Sequence, residues 1–300
     1  MLHLHFEGSV FLKTLRNISL RKGLTPPDDS TYSFRNFAEF SGIFPKIFQP
    51  ITEERDFYEL ASAFAEDLVR QRVTYCEMFC VPLAHIRRGV PFEKFFPPIV
   101  AALEEAEKNF GVKVNIIFSI IRAGGNTDWG HQTLDLIQQH PHPRIVGIDL
   151  AGPECFETIA PFESVYRRAK SLGLHRTAHS GEFCGPDHIR QTIQALQVER
   201  IGHGITASSD ESLMRLLIEK NIPLEICPTS NVRLGAVPSW ESHPVRKLYD
   251  YGVPIVIDTD DPAFFGNTLD DEYQMLRQHF GFNESEITAL RENVQKYAFA

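Results

Sequence analysis

The sequence VPIVIDTDDP, from Val253 to Pro262, contains a short apolar run that ends in carboxylates. Apolar residues bounded by turn-forming residues, as from Val253 to Ile257, indicate a buried strand. Asp258, Asp260 and Asp261 follow directly. Carboxylates at the end of a buried strand are costly to desolvate unless a positive partner meets them. A metal ion is such a partner, and other predicted strands of this chain end in histidine.

The rest of the chain alternates between short apolar runs and amphipathic segments. The predicted strands are Leu2–Phe6, Val73–Phe79, Val112–Ile121, Arg144–Leu150, Leu174–His179, Arg200–His203, Pro223–Cys227 and Val253–Ile257. A first predicted helix begins at Ser9 and reaches at least to about Asn17. The other predicted helices are Glu53–Gln71, Phe92–Asn109, Asp128–Gln139, Phe162–Ser171, Pro186–Leu196, Glu211–Lys220, His243–Tyr251 and Leu269–Phe280. Eight strand-then-helix units without a linker predict one domain over residues 1–300, an α/β (β/α)8 TIM barrel.

One segment exceeds what such a barrel needs between its first strand and the helix Glu53–Gln71. Between Thr31 and Phe48, aromatic residues recur every three to four positions, which indicates an apolar stripe on helical structure. We predict a helical insertion after the first strand, and packing in the core is the preferred interpretation of its apolar stripe. A lid over a site is the alternative interpretation.

Composition excludes several classes of protein. The 300 residues carry a formal net charge of −9, which argues against a surface that binds nucleic acid. No apolar stretch is long enough to cross a bilayer, and Met1-Leu2-His3 leaves no room for a signal peptide. Five cysteines at irregular spacings suggest reduced thiols in a cytoplasmic protein, with Cys76 and Cys80 in the core.

Histidines fall where a barrel of this kind has its active site, at the carboxyl ends of the strands. His3 and His5 share one face of the first strand because strand side chains alternate. His179 ends the fifth strand, and His203 ends the sixth between two glycines. Each feature has a plain alternative, such as an exposed histidine or an aspartate that caps the next helix. Their common position at one rim favours a shared site.

Imidazoles together with a carboxylate suit zinc. A bound metal lowers the pKa of water, so that hydroxide becomes available near neutral pH. Glu182 lies three residues after His179 and is placed to transfer protons without binding the metal, whereas His203 would orient the hydroxide. The residues therefore predict metal-assisted hydrolysis. Spacing alone leaves Asp258 and Asp260 as rival ligands.

Six sequence blocks resemble those of the adenosine deaminase family within the amidohydrolase superfamily, in the same order and over essentially the whole chain. They are HLHFEGS from His3 to Ser9, Ile148-Asp149-Leu150-Ala151-Gly152, His179-Ser180-Gly181-Glu182, Ile201-Gly202-His203-Gly204, Cys227-Pro228-Thr229-Ser230-Asn231 and Thr259-Asp260-Asp261-Pro262. The resemblance implies that His3, His5, His179 and Asp260 bind one zinc per chain. The fourth strand has no lysine to bridge two metals, which favours a single-metal enzyme.

The resemblance also implies roles toward a purine substrate. Glu182 would protonate N1 and His203 would help to position the attacking hydroxide. Asp261 would hydrogen-bond N7, and the backbone N–H of Gly152 would meet N3. The implied reaction is hydrolytic loss of ammonia from C6. The chain lacks the Cys-x-x-Cys motif of the zinc deaminases that act on nucleobases within nucleic acids.

Two departures from the family pattern affect the substrate and the metal. Glu7 stands where adenosine deaminases usually carry an aspartate that meets the ribose 5′-hydroxyl, and glutamate there is commoner in relatives that act on adenine or on modified adenosines. Asp258 replaces a usual asparagine or serine. We expect adenosine as substrate first, with adenine and aminodeoxyfutalosine as alternatives.

Two further classes remain as hypotheses. A binuclear amidohydrolase that cleaves a phosphoester or a cyclic amide would hold two metals and tolerate loss of Glu182. A non-catalytic purine-binding protein is disfavoured because all of the proposed catalytic residues are present.

Overall fold

Eight strands form one parallel sheet in which each strand pairs with the next strand in sequence. The computed structural model describes residues 1–122, 127–155 and 159–299. Strands β1 to β8 are Leu4–His5, Tyr75–Cys80, Lys113–Ile121, Ile145–Ala151, His175–Ser180, Arg200–His203, Leu224–Ile226 and Ile255–Ile257. A bridge between Leu4 and Asp260 joins the end of β8 to β1. The sheet therefore closes, and the predicted (β/α)8 barrel is confirmed.

Fifteen α-helices lie in the described part of the chain. Helices α1 to α15 are Leu12–Arg21, Phe37–Ser41, Phe44–Ile47, Glu54–Arg70, Pro82–Arg87, Phe92–Phe110, Asp128–Gln139, Glu163–Ser171, Pro186–Leu196, Glu211–Lys220, Pro228–Arg233, Val245–Tyr251, Pro262–Phe265, Leu269–Phe280 and Glu284–Tyr297. Among these described segments, no helix combines the length and the apolar character that crossing a membrane requires.

Four helices lie where the sequence analysis predicts none, namely α5, α11, α13 and α15. Each of the first three begins with a proline in the loop that follows a strand. Proline suits the first turn of a helix because the N–H at that position has no intrahelical acceptor. Helix α15 packs against β8 and brings Tyr297 and Phe299 to the base of the barrel.

The predicted insertion lies between α1 and α4 and contains two short helices, α2 and α3. Phe40 and Phe44 of these helices pack on Phe264 of α13, with ring centroids 5.0 and 4.9 Å apart. Phe37 contacts Phe183, the residue after Glu182, at 5.3 Å. The aromatic stripe therefore covers the loops that carry two predicted site residues. That the insertion moves as a lid stays a hypothesis.

One expectation about the cysteines is wrong. Cys155 and Cys184 form a disulfide, with Cα atoms 5.5 Å apart, so these two thiols are not reduced. Irregular spacing did not reveal the pair because the loops after β4 and β5 bring the residues together. Cys76, Cys80 and Cys227 are free and buried.

Candidate active site

His3, His5, His179 and Asp260 converge at the carboxyl end of the barrel. The Nε2 atoms of His5 and His179 lie 3.1 Å apart. Oδ1 of Asp260 is 3.3 Å from Nε2 of His5 and 3.5 Å from Nε2 of His3. Potential ligand atoms of His3, His179, His203 and Asp260 lie within 4.8 Å of one another, whereas His5 groups with Asp260 and Asp261. Asp260 therefore links His5 to the other two predicted ligands, and His203 lies as close to Asp260 as they do.

Two of the imidazoles donate a hydrogen bond from Nδ1, on the side away from the cluster, to a carboxylate outside it. Nδ1 of His3 lies 2.9 Å from Oε2 of Glu225, and Nδ1 of His179 lies 3.0 Å from Oδ1 of Asp149. Each Nδ1 therefore carries the proton that it donates, which leaves Nε2 of a neutral ring with a lone pair directed into the cluster. This arrangement is typical of histidines that bind metals.

The chemistry of the cluster fits zinc. Nε2 of His3 is buried without a hydrogen-bond partner in the described structure, which is costly unless a cation is bound there. Burial lowers the pKa of His5 to about 4, so its ring is neutral at pH 7 and available as a ligand. Burial alone would also lower the pKa of His3, but the Asp260 and Glu225 carboxylates raise it well above its ordinary value, so zinc would take the place of a proton on Nε2 of that ring. Imidazole nitrogens and a carboxylate oxygen are donors that zinc binds.

Asp260 and His203 adopt left-handed backbone conformations, with φ of 63° and 60°. Such conformations cost side-chain-bearing residues about 1–3 kcal/mol each and concentrate at functional sites. Ser230 helps to hold the aspartate, because its hydroxyl donates to Oδ2 of Asp260 at 2.6 Å. The turn after β8 thus directs the carboxylate of Asp260 into the cluster.

Asp258, the rival metal ligand, occupies a different environment. Its Oδ1 accepts a hydrogen bond from the backbone N–H of Leu2 at 2.7 Å, and burial raises its pKa. Among the described residues, it belongs to none of the groups that bring potential ligand atoms together. The geometry therefore favours Asp260.

Glu182 lies beside the histidine cluster. Its Oε2 is 3.7 Å from Nε2 of His203, and its Oε1 accepts a hydrogen bond from Nδ2 of Asn231 at 3.2 Å. Burial raises the pKa of Glu182 well above its ordinary value, and the Asp260 carboxylate raises it further. Burial also lowers the pKa of His203 well below its usual range. A protonated carboxyl group and a neutral imidazole follow, which suits a general acid beside an orienting ring.

The turn that carries Glu182 is fixed by Glu154. Both carboxylate oxygens of Glu154 accept hydrogen bonds from successive backbone N–H groups of Glu182, Phe183 and Cys184, at 3.2, 3.0 and 2.9 Å. A carboxylate that caps three successive N–H groups limits the motion of this turn. The position of Glu182 is therefore set by the loop after β4.

Asp261 and Gly8 approach each other closely. A Cβ atom on Gly8 would lie 1.8 Å from Oδ1 of Asp261, so only glycine fits here. Burial raises the pKa of Asp261 well above its ordinary value, and the neighbouring Asp260 adds to the shift.

Gly152, the other glycine with a predicted role, directly follows β4. Its backbone is left-handed, with φ of 95°, and its carbonyl accepts a hydrogen bond from Arg122 at 3.0 Å.

Glu7 is buried, and only one of its two carboxylate oxygens has hydrogen-bond partners among the described residues. Its Oε1 accepts hydrogen bonds from the backbone N–H of Val81 at 3.0 Å and from Nε2 of His85 at 2.9 Å. Its Oε2 has no hydrogen-bond partner among the described residues. Burial alone would raise the pKa of Glu7, but the His85 hydrogen bond lowers it, so a carboxylate persists. One oxygen remains available to a donor on a ligand.

Sequence reasoning missed the residues that support this site. Asn231 lies within a block that carried the resemblance, but no role was inferred for it. His85, His243 and Glu225 have no local signal, because each acts through a partner far away in sequence. Their roles depend on the folded positions of several loops.

Comparisons with known proteins point to one family. The family model described as adenosine deaminase matches residues 1–300. An adenine deaminase of Ectopseudomonas mendocina is 33% identical over 299 residues, which cover 97% of this chain and 94% of that protein. The structure of an adenine deaminase from Arthrobacter aurescens superposes with a TM-score of 0.94 at 31% identity, covering 100% of this chain and 93% of that one. A zinc-bound amidohydrolase of Burkholderia ambifaria gives a TM-score of 0.91 at 25% identity, over 100% and 85% of the two chains.

Proposed function

Because the chain belongs to the adenosine deaminase family, we propose that it is a zinc-dependent hydrolase that removes the amino group from a 6-aminopurine. The buried Glu182 beside three histidines and Asp260 is the observation that carries this proposal. The matched relatives, which are named adenine deaminases, support a purine substrate.

His3, His5, His179 and Asp260 would hold one zinc ion. Bound zinc acts as a Lewis acid that lowers the pKa of water, which makes hydroxide available near neutral pH. A ligand set with one carboxylate and no bridging lysine supports one metal per chain rather than the binuclear alternative.

The protein's own groups divide the remaining work. Glu182 donates its proton to N1 of the purine, which withdraws electrons from C6 and opens that carbon to attack by oxygen. His203 orients the attacking oxygen. The C6–O bond forms, and the Glu182 carboxylate, which gave its proton to N1, takes the hydroxyl proton of the added oxygen and passes it to the amino group. The C6–N bond then breaks, ammonia leaves, and C6 becomes a carbonyl carbon. Asp261 and the backbone of Gly152 would hold the ring at N7 and N3.

Glu7 is placed to select which substituent, if any, the purine substrate carries at N9. Its free Oε2 is buried and needs a donor, which either the N9–H of adenine or a hydroxyl of a nucleoside would supply. We place adenine first because the matched relatives are named adenine deaminases. Adenosine and aminodeoxyfutalosine remain candidates.

The test measures loss of ultraviolet absorbance with adenine, adenosine and aminodeoxyfutalosine in parallel, using zinc-loaded protein. We expect the largest kcat/KM with adenine. A larger value with a nucleoside would overturn the choice of substrate, and turnover of none of these purines would overturn the proposed function.

Two variants of Glu7 sharpen the choice. Glu7→Gln keeps the size but replaces the carboxylate with an amide, so we expect it to raise KM for adenine. Glu7→Asp shortens the side chain and serves as its partner variant. If Glu7→Asp shifts preference toward adenosine, Glu7 selects the purine substituent. If neither variant changes relative kcat/KM, Glu7 has no part in selection.

A further inference from the structure

Asn231 connects the two proposed catalytic side chains to a histidine outside the site. Its side chain is fully buried, and three polar groups surround it. Its Nδ2 lies 3.2 Å from Oε1 of Glu182 and 3.2 Å from Nδ1 of His203, and its Oδ1 lies 3.2 Å from Nε2 of His243. The amide therefore uses all of its hydrogen-bonding capacity on named partners except the second lone pair of Oδ1.

The direction of these hydrogen bonds is set by a backbone group. The N–H of Val245, which can only donate, points to Nδ1 of His243 at 3.2 Å. Nδ1 must therefore accept. His243 is buried, and burial lowers its pKa to about 4, so its ring carries one proton at pH 7. That proton lies on Nε2, which donates to Oδ1 of Asn231.

The same direction continues into the site. Because Oδ1 of Asn231 accepts from His243, its Nδ2 group points to Glu182 and His203 and donates to both. Nδ1 of His203 accepts, so the proton of its neutral ring lies on Nε2. Oε1 of Glu182 also accepts, which leaves Oε2 as the oxygen that carries the transferable proton. A flipped Asn231 would place two N–H donors face to face at His243.

We propose that Asn231 and His243 are positioning residues that fix the Nε2–H tautomer of His203 and direct the proton of Glu182 to Oε2. In this arrangement His203 donates a hydrogen bond to the attacking oxygen, and it does not act as a base. Glu182 presents its protonated oxygen on the side that faces His203 Nε2, 3.7 Å away. This inference rests on the proposed deamination, to which it assigns two further residues.

We call the chain of hydrogen bonds from His243 through Asn231 to His203 and Glu182 the relay. The tautomer of His203 gives the most direct test of it and needs no substitution of Asn231 or His243. ¹⁵N spectra of zinc-loaded protein labelled at histidine distinguish a protonated nitrogen from an unprotonated one, and comparison with His203→Asn assigns the signals. We expect a protonated Nε2 and an unprotonated Nδ1. A protonated Nδ1, or two protonated nitrogens, at pH 7 would overturn the proposal.

Two substitutions of His243 test its effect on the reaction. His243→Leu removes the donor, whereas in His243→Gln the amide nitrogen takes the place of ring Nε2. We expect His243→Leu to lower kcat by about 10–100-fold, as loss of supporting partners does around metal sites, with KM changed by less than about threefold. His243→Gln should recover most of the rate. Equal loss in both variants, or near-native kcat in both, would contradict the relay.

Zinc content and the tautomer separate this role from a structural one. We expect one zinc per chain in both variants and a mixture of His203 tautomers in His243→Leu alone. An unchanged tautomer in His243→Leu would overturn the relay even if the rate falls. If the wild-type protein deaminates no purine, the proposed function fails, but the ¹⁵N spectrum still decides the hydrogen-bond direction. If it deaminates adenine with the opposite tautomer, only the relay fails.

Discussion

The Nε2 atoms of His5 and His179 lie 3.1 Å apart although 174 residues separate them in sequence. Nδ1 of His179 donates to Oδ1 of Asp149, so Nε2 is the nitrogen of this ring that can present a lone pair toward His5. Two such nitrogens at this distance are favourable when a cation lies between them or one ring takes up a proton. The proximity of these two atoms is the structural basis of the proposed zinc site.

Removal of the metal should abolish activity and lower stability. A ligand that binds only the folded state stabilises it, by about 2.7 kcal/mol at a hundredfold excess over Kd. We therefore expect a chelator to lower the thermal midpoint and the deamination rate together, and one equivalent of zinc to restore both. Full activity after the metal content has fallen to background would contradict the account.

Loss of the Glu182 proton should slow the chemical step. Glu182→Gln keeps the acceptor for Asn231 but removes the acidic proton, so we expect kcat to fall by at least about 10²-fold. The bound zinc should remain at one per chain, as metal analysis will show. Near-native turnover by this variant would rule out the general-acid role and would favour the binuclear alternative.

Asp258 and Asp260 should respond differently to the same substitution. Asp260→Asn removes a charged ligand, and we expect it to weaken zinc binding and to abolish activity. Asp258→Asn is the matched control, since an amide oxygen can still accept from the Leu2 N–H. We expect its zinc affinity to remain within about threefold of wild type. Equal weakening in the two variants would restore Asp258 as a ligand.

Glu225 should tune the metal from outside the ligand set. It accepts from Nδ1 of His3 and also pairs with buried Arg200, with Nε of the arginine 2.5 Å from Oε1. Substitution of such supporting carboxylates typically weakens metal affinity by about 10–100-fold. Glu225→Gln should show this effect in competition with a zinc chelator. An unchanged Kd would mean that His3 is oriented by packing alone.

Asp56 should stabilise the fold in a pH-dependent manner. Burial alone would raise its pKa, but hydrogen bonds from Lys22 and from the N–H groups of Glu53 and Thr52 lower it. Because the folded-state pKa is depressed, this stabilisation is present above the unfolded value of about 3.9 and is lost as the pH falls through the folded value. We expect Asp56→Asn to cost about 1–3 kcal/mol at pH 7, and less at low pH.

The control for Asp56 is Asp29, whose exposed side chain pairs only with Arg16 among the described contacts. Asp29→Asn should change the free energy of unfolding by no more than about 0.5 kcal/mol. Urea titrations at pH 7 and pH 4 would measure both variants. A larger loss for Asp29→Asn than for Asp56→Asn would contradict the burial argument.

The barrel and the cluster of histidines and Asp260 could be predicted from sequence because both follow from local patterns. Apolar runs marked the strands, and their carboxyl ends share one rim, so His3, His179 and Asp260 had to be neighbours once the barrel was inferred. The family resemblance then separated Asp260 from Asp258, a choice that spacing left open. In the structure the backbone of Asp258 still pairs with β7, whereas Asp260 lies beyond the strand.

The supporting residues could not be predicted in the same way. His85 meets Glu7 from a short helix that begins at Pro82, a proline that the sequence pattern presents as a break. His243 reaches Asn231 through a loop between α11 and α12, and only the folded loop defines its direction. Cys155 and Cys184 were likewise brought together by two separate loops. Hydrogen bonds between loops leave no periodic signal in the sequence.

Diffraction from crystals grown with zinc, measured at the zinc absorption edge, tests the central claim most directly. The account predicts one anomalous peak per chain, between Nε2 of His3, His5 and His179 and a carboxylate oxygen of Asp260. Two peaks at the rim, or a peak whose ligands include Asp258 in place of Asp260, would contradict it, as would the absence of any peak there.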